Sequence, residues 1–164
     1  MDLFEKFYTL SLRYLTRRPR SEKELKDYLK KKFQRIKAEP SEEAFITQKI
    51  IDTLKQQKFL NDEEFAKWWI EQRTKFKHSS QFVIKRELLQ KGISKEILAS
   101  CFALDGSKAN DLEQAKILVE KKLPRYRNLE KRELYNKLGA FLARRGFDWD
   151  TIKKAIDEIL GKGV

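Results

Sequence analysis

Few side chains in this sequence could carry covalent or acid–base chemistry. His78 is its one histidine and Cys101 its one cysteine. A lone histidine leaves no His-built metal cluster and sets aside His-dependent triads. Cys101 lies in Ile97-Leu98-Ala99-Ser100-Cys101-Phe102, which reads as a helix face, so a buried structural thiol is expected there and not a nucleophile. No glycines cluster at phosphate-loop spacing. Carboxylates are plentiful, as in Asp62-Glu63-Glu64 and at Asp148 and Asp150, and a metal-dependent nuclease would need several converging on one ion. Here they stand where helices begin, and the positive end of the helix dipole accounts for them. The expectation is a binding protein with no catalytic centre, no cofactor and no metal.

The cations are the positive signal. Lys and Arg total 37 against 25 Asp and Glu, a net charge of +12, which favours polyanionic partners or acidic protein surfaces. Residues 1–60 carry 15 basic and 9 acidic side chains, residues 61–107 carry 8 and 7, and residues 108–164 carry 14 and 9. Two basic ends thus flank a near-neutral middle. Arg17, Arg18 and Arg20 surround a proline before the second helix, more cations than one helix end can use. Lys30, Lys31 and Lys32 end that helix, with Arg35 beyond. Arg73, Lys75 and Lys77 end the fourth helix, and Arg86 comes after them. Arg125 and Arg127 surround Tyr126, and Arg144 and Arg145 end the eighth helix. Cations at helix C-termini also complement the dipole, but together these residues are expected to form a basic face toward phosphates or an acidic protein surface. Trp68 and Trp69 could stack on bases, although helical spacing places them with the core.

The elements that must position these residues are all helical. Apolar residues recur at helical spacing in nine successive stripes, from Phe4, Phe7, Tyr8, Leu12 and Leu15 to Ile152, Ala155, Ile156, Ile159 and Leu160, and no alternating strand pattern persists. The fourth stripe is Phe65, Trp68, Trp69 and Phe76, and the fifth Ile84, Leu88 and Leu89. Ser21 with Glu24 predicts a capping box. Pro40-Ser41-Glu42-Glu43 predicts a capped third helix, Asn61 with Glu64 repeats the box, and Ser94 and Asp148 cap two more. Gly92 and Gly146 stand where left-handed turns must end helices, and Gly106-Ser107 opens a polar break that could bend.

These signals repeat. With Gly92 on Gly146, Ile84 meets Leu138, Leu88 meets Leu142 and Ile93 meets Phe147, and each glycine is preceded by a cation, Lys91 or Arg145. With Leu25 on Ile84, Leu29 meets Leu88 and Lys32 meets Lys91, while Phe33 stands in the glycine position. The fold class is therefore all-α: three tandem three-helix repeats, at about residues 1–60, 61–107 and 108–164, forming an elongated, curved body.

The order and spacing of these pieces resemble the RecX family of bacterial regulatory proteins over nearly the whole chain. The resemblance rests on Arg17-Arg18-Pro19-Arg20-Ser21-Glu22 leading into a helix and on Ile50-Ile51, Leu54, Phe59-Leu60-Asn61-Asp62 and Phe65-Ala66. It extends through Arg73, Ile84, Glu87-Leu88, Lys91-Gly92-Ile93 and Phe141-Leu142 with Arg144-Arg145-Gly146-Phe147. Phe33 and Lys58 depart from it, standing where the family has glycine, and His78-Ser79-Ser80 replaces a glycine-containing turn. The resemblance implies a modulator, usually an inhibitor, of the RecA recombinase. Such a protein lies in the groove of the RecA filament on single-stranded DNA, restrains its recombinase, ATPase and coprotease activities, and in some members binds DNA weakly. The alternative is a stand-alone, helix-turn-helix-like DNA-binding protein acting without RecA.

No apolar run approaches a membrane span, no signal-peptide core opens the chain, and a single cysteine suits a reducing compartment. A cytoplasmic monomer is expected.

Overall fold

Among the described residues the nine stripes become nine helices. They are α1 (Leu3–Thr16), α2 (Glu22–Ile36), α3 (Pro40–Gln56), α4 (Asp62–Gln72), α5 (Gln81–Gln90), α6 (Lys95–Phe102), α7 (Ser107–Lys122), α8 (Lys131–Arg144) and α9 (Trp149–Gly161). A π turn, Arg73–Lys77, continues α4, and a 3-10 turn, Leu123–Tyr126, continues α7. The computed structural model describes residues 2–103 and 107–161, among which there is no strand. Gly106 of the polar break lies outside them, and α7 starts at Ser107. Among the described residues no helix is long and apolar enough to cross a membrane.

The helices pack into two compact units, Met1–Trp68 with Leu88–Leu98, and Trp69–Glu87 with Ala99–Val164. The division falls inside α4, α5 and α6. In the first unit the inward faces of α1, α2 and α3 bury Phe7, Leu25, Leu29, Phe33, Ile46, Ile50, Ile51 and Leu54, with Phe7 and Phe33 stacked 4.0 Å apart. In the second unit α7, α8 and α9 close over Val119, Leu138, Leu142, Phe147, Ile152 and Ile156. Each such side chain contributes about 1.5–3 kcal/mol by leaving water.

Local signals set most boundaries. The Ser21 hydroxyl accepts from the Glu24 amide while the Glu24 carboxylate accepts from the Ser21 amide, the reciprocal box. Asn61 Oδ1 accepts from the amides of Glu63 and Glu64, Ser94 Oγ from that of Ile97, and Asp148 Oδ1 from that of Thr151. The third helix differs from expectation. Its N-cap is Glu39, without a side-chain bond, and Pro40 takes the first helical position, so Ser41 sits inside the first turn and caps nothing. Proline gives up no needed donor there, which is why the helix can start on it.

Other departures have physical causes. Phe33 keeps its helical place because it is fully buried, so α2 runs on and turns at Lys37, with φ 53°. The π turn adds one residue to the helical repeat and rotates the residues after it by about 100°. Phe76 therefore leaves the core and is 69% exposed. Leu89 is also exposed, and Cys101 is partly buried and not fully so. Trp68 and Trp69 are both half-buried. Trp68 lies under the Arg18 guanidinium at 5.7 Å, and Trp69 lies under that of Arg73 at 4.4 Å.

A single joint occurs twice. In the first unit Ser21 Oγ donates to the carbonyl of Lys91 at 2.7 Å, and the amide of Glu22 donates to Asp62 Oδ1 at 2.8 Å. In the second unit Ser80 Oγ donates to the carbonyl of Arg145 at 3.3 Å, and the amide of Gln81 donates to Asp111 Oδ1 at 2.9 Å. In both cases the start of one repeat's middle helix is held by two groups of the next repeat. One is the carbonyl just before its turn glycine, the other an aspartate of its first helix. The glycine is required twice over. Gly92 has φ +79° and Gly146 φ +86°, and a Cβ on Gly92 would stand 2.7 Å from Lys23 Cβ, while one on Gly146 would overlap Val83 Cγ2.

Gly92→Ala combines a left-handed penalty of roughly 1–2 kcal/mol with a clash against Lys23, so it is expected to cost about 2 kcal/mol or more. Lys58 has φ 62°, and Lys58→Gly is expected to gain up to about 1 kcal/mol by relieving the same strain. Urea midpoints measured by far-ultraviolet circular dichroism check both, and a silent Gly92→Ala would contradict the joint geometry.

Candidate functional site

The cations expected to face a partner divide by what they touch. Around the first joint, Arg17 is exposed, but Arg18 and Arg20 are engaged within the protein. Arg18 Nη2 lies 2.7 Å from Glu24 Oε1, its Nη1 donates to the carbonyl of Pro19, and its plane covers Trp68. The Arg20 guanidinium lies 4.1 Å from the centre of the Tyr14 ring. Of the three arginines flanking Pro19, Arg18 therefore braces the joint and Arg20 packs on α1. On α2, Lys30, Lys31 and Arg35 are exposed and Lys32 lies over Tyr28.

Glu24 is the electrostatic centre of this joint. Its carboxylate meets Arg18, Lys91 Nζ at 2.7 Å and the Ser21 amide. Burial pushes its pKa up, but the bonds from Arg18, Lys91 and Ser21 outweigh burial, and the group is held below its ordinary 4.5. Glu22 is lowered in the same way, burial being outweighed by Lys26 and Lys55. Asp62 goes the other way, raised chiefly by burial.

In the second unit Arg73 Nε bonds Glu87 Oε2 at 2.8 Å, beside the Trp69 indole N–H, which donates to the same oxygen. Lys75 pairs with Glu71 at 2.6 Å, and Arg86 is exposed with its guanidinium 5.8 Å from the Phe82 ring centre. Arg144 is exposed. Lys77 and Arg145 are the two expected residues that the fold brings together: Arg145 Nη1 donates to the carbonyl of Lys77 at 3.3 Å. Both line a cavity of about 300 Å³.

That cavity gathers residues from the π turn, α7, the 3-10 turn and α8. Lys121, Lys122 and Arg125 join Lys77 and Arg145, and the rings of Phe76 and Phe141 complete the wall. Lys122 Nζ and the Arg145 guanidinium lie 4.7 and 5.4 Å from the Phe141 ring centre. Lys121 is fixed by a chain of hydrogen bonds. Its Nζ is 2.9 Å from His78 Nε2, His78 Nδ1 is 2.8 Å from Gln114 Oε1, and Gln114 Nε2 donates to Asn110. An ammonium can only donate, so His78 Nε2 is the acceptor and the ring proton sits on Nδ1. Lys121 and Lys122 carried no sequence signal beyond a helix end, whereas Arg125 stood out beside Tyr126.

Comparison with known proteins gives the arrangement a family. Three domain descriptions match in chain order: the first three-helix domain of RecX at residues 8–34, the second at 61–100 and the third at 109–156. The chain belongs to the RecX family. Curated RecX relatives include the regulatory protein RecX of Bacillus subtilis, 32% identical over 96% of this chain and 56% of its own length. That of Listeria welshimeri is 30% identical over 94% of this chain and 54% of its own. The chain thus spans about half the length of the curated RecX relatives it matches. The crystal structure of RecX from Lactobacillus salivarius has a TM-score of 0.74 at 26% identity, covering 95% of this chain and 96% of the other. A second RecX crystal structure, at 23% identity and the same TM-score, shares the fold. Where the RecX resemblance expects glycine at Lys58 and a glycine-containing turn at residues 78–80, Lys58 and His78 adopt the left-handed backbone themselves, with φ 62° and 50°.

The lowered carboxylates set a pH dependence. A group whose pKa is depressed on folding adds stability above its unfolded value and loses it as pH falls through the folded value. Glu24→Gln is expected to cost roughly 2 kcal/mol at pH 7 and to show a shallower loss of stability between about pH 5 and 3 than the parent. Asp62, whose sign is opposite, is common to both proteins and cancels. Urea midpoints across that range test this; parallel curves would remove Glu24 from the role.

Proposed function

We propose that this chain regulates the RecA recombinase by binding the RecA–single-stranded DNA filament, and that the effect is inhibitory. The observation that carries the reading is the ordered match of three successive RecX domains, together with relatives named as regulatory proteins. The charge balance supports it. A net +12 suits a filament of nucleic acid and protein, and the exposure of Arg17, Lys30, Lys31 and Arg35 supports a role for these cations in meeting it. The action is that of a stoichiometric ligand. It occupies filament surface, alters filament stability and keeps other strands and substrates from the groove, with weak DNA binding as a by-product of the same charge. Recombination, coprotease activity and ATP hydrolysis would fall together. The protein would act in the cytoplasm, where RecA works, as a monomer and without a cofactor or metal.

The test is single-strand-dependent ATP hydrolysis by RecA with the protein titrated in at fixed moderate salt. A dose-dependent fall is expected at less than one protein per RecA subunit. A variant with Arg17, Lys30, Lys31 and Arg35 changed to Glu should need at least about ten-fold more protein, while Arg18 and Arg20 are left in place because they hold Glu24 and cover Tyr14. No effect up to stoichiometric amounts, with tight binding to naked DNA, would instead favour the stand-alone DNA-binding reading.

A further inference from the structure

The two joints are built alike but differ in one charge. Placing Ser21 on Ser80 puts Glu24 on Val83, and Lys91 corresponds to Arg145, each before its turn glycine. At the first joint Arg18 and Lys91 share the Glu24 carboxylate, which lies 2.7 Å from each. At the second joint valine supplies no carboxylate. Lys77, the counterpart of Arg18, and Arg145, the counterpart of Lys91, stand together with Lys121, Lys122 and Arg125 around one cavity. Among the described residues none of these five cations lies within 4 Å of a carboxylate, whereas their first-joint counterparts Arg18 and Lys91 both meet Glu24.

We infer that the cavity at the second joint binds the phosphates of a nucleotide, an external anion taking the place that Glu24 fills at the first joint. Several cations in one concave site repel one another until an anion enters, and a chain of two or three phosphates can meet them at once. A single phosphate would leave most of the charge uncompensated. The π turn aims Phe76 outward at the rim of the same cavity, 69% exposed, where an aromatic ring can stack on a base. The Asn110–Gln114–His78 chain holds Lys121 toward the cavity before any ligand arrives, so little ordering remains to be done on binding. Free nucleotides and the backbone of single-stranded nucleic acid present this same chemistry. Such binding does not depend on RecA.

Titration calorimetry on the full chain, with inorganic tripolyphosphate, ATP and an eight-residue oligothymidylate as probes, tests it. Saturable binding of tripolyphosphate is expected, weakened at least about ten-fold by Lys122→Ala with Arg125→Ala. Lys153→Ala with Lys154→Ala, an exposed pair on α9 outside the cavity lining, should change it less than about two-fold. Val83→Glu, which restores the carboxylate of the first joint, should also weaken binding at least about ten-fold while leaving the thermal midpoint unchanged or raised. Phe76→Ala should leave tripolyphosphate binding intact and weaken whichever nucleotide probe binds more tightly, which identifies the source. Absence of saturable binding up to millimolar tripolyphosphate, or equal losses from the two double variants, would overturn the assignment.

Discussion

A buried serine hydroxyl with two obligations governs this fold. Ser21 must accept the amide that starts α2 and donate to the carbonyl just past the end of α5, and it is wholly shielded from water while doing both. Each bond contributes only about 1 kcal/mol net, but a missing partner leaves a buried polar group at a cost of about 1–3 kcal/mol. The neighbouring amide adds a third requirement by taking Asp62 as its acceptor. The carbonyl can approach so closely only if the next residue has no side chain and can adopt a left-handed turn, hence Gly92. Serine, aspartate and glycine are thus parts of one contact, and Ser80, Asp111 and Gly146 reproduce it.

Using one joint twice frees it to diverge in charge. At the first copy a carboxylate is fitted between two cations, and burial makes that arrangement dependent on all three partners. At the second copy the corresponding position is apolar and the cations face a cavity. One joint consumes its charge on cohesion, and the other offers it outward. That contrast bears on function more directly than the total charge does, because the total counts Arg18 and Arg73 alike with Lys77, although the first two are tied to glutamates.

Local chemistry was legible in the sequence; long-range pairing was not. Ser21 with Glu24, Asn61, Ser94 and Asp148 announced their helices because a cap needs only residues a few places apart. The internal alignment of Gly92 with Gly146 reflects a shared turn. That Ser21 also bonds residue 91 has no short-range signature. The same holds for the partners of Arg18 and Arg20, whose excess around Pro19 pointed to a binding surface and which also pack on Glu24 and Tyr14. Phe76 misled because helical spacing carries no warning of a π turn, and that turn is what sends it to the cavity rim. Lys121 and Lys122 were hidden by their position at the end of α7, where a dipole-complementing role suffices to explain a lysine.

The bond from Glu22 to Asp62 and that from Ser21 to Lys91 also set a limit on how the chain can be divided. A fragment ending at residue 60 would contain every apolar side chain of the α1–α3 core. It would still lack both acceptors for the start of α2 and the lysine that balances Glu24. Excision at the apparent repeat boundary therefore cuts through a buried contact, and a self-sufficient first piece must reach past Gly92. The segment that can be transplanted or shuffled as a unit is one repeat plus the clasp contributed by its successor.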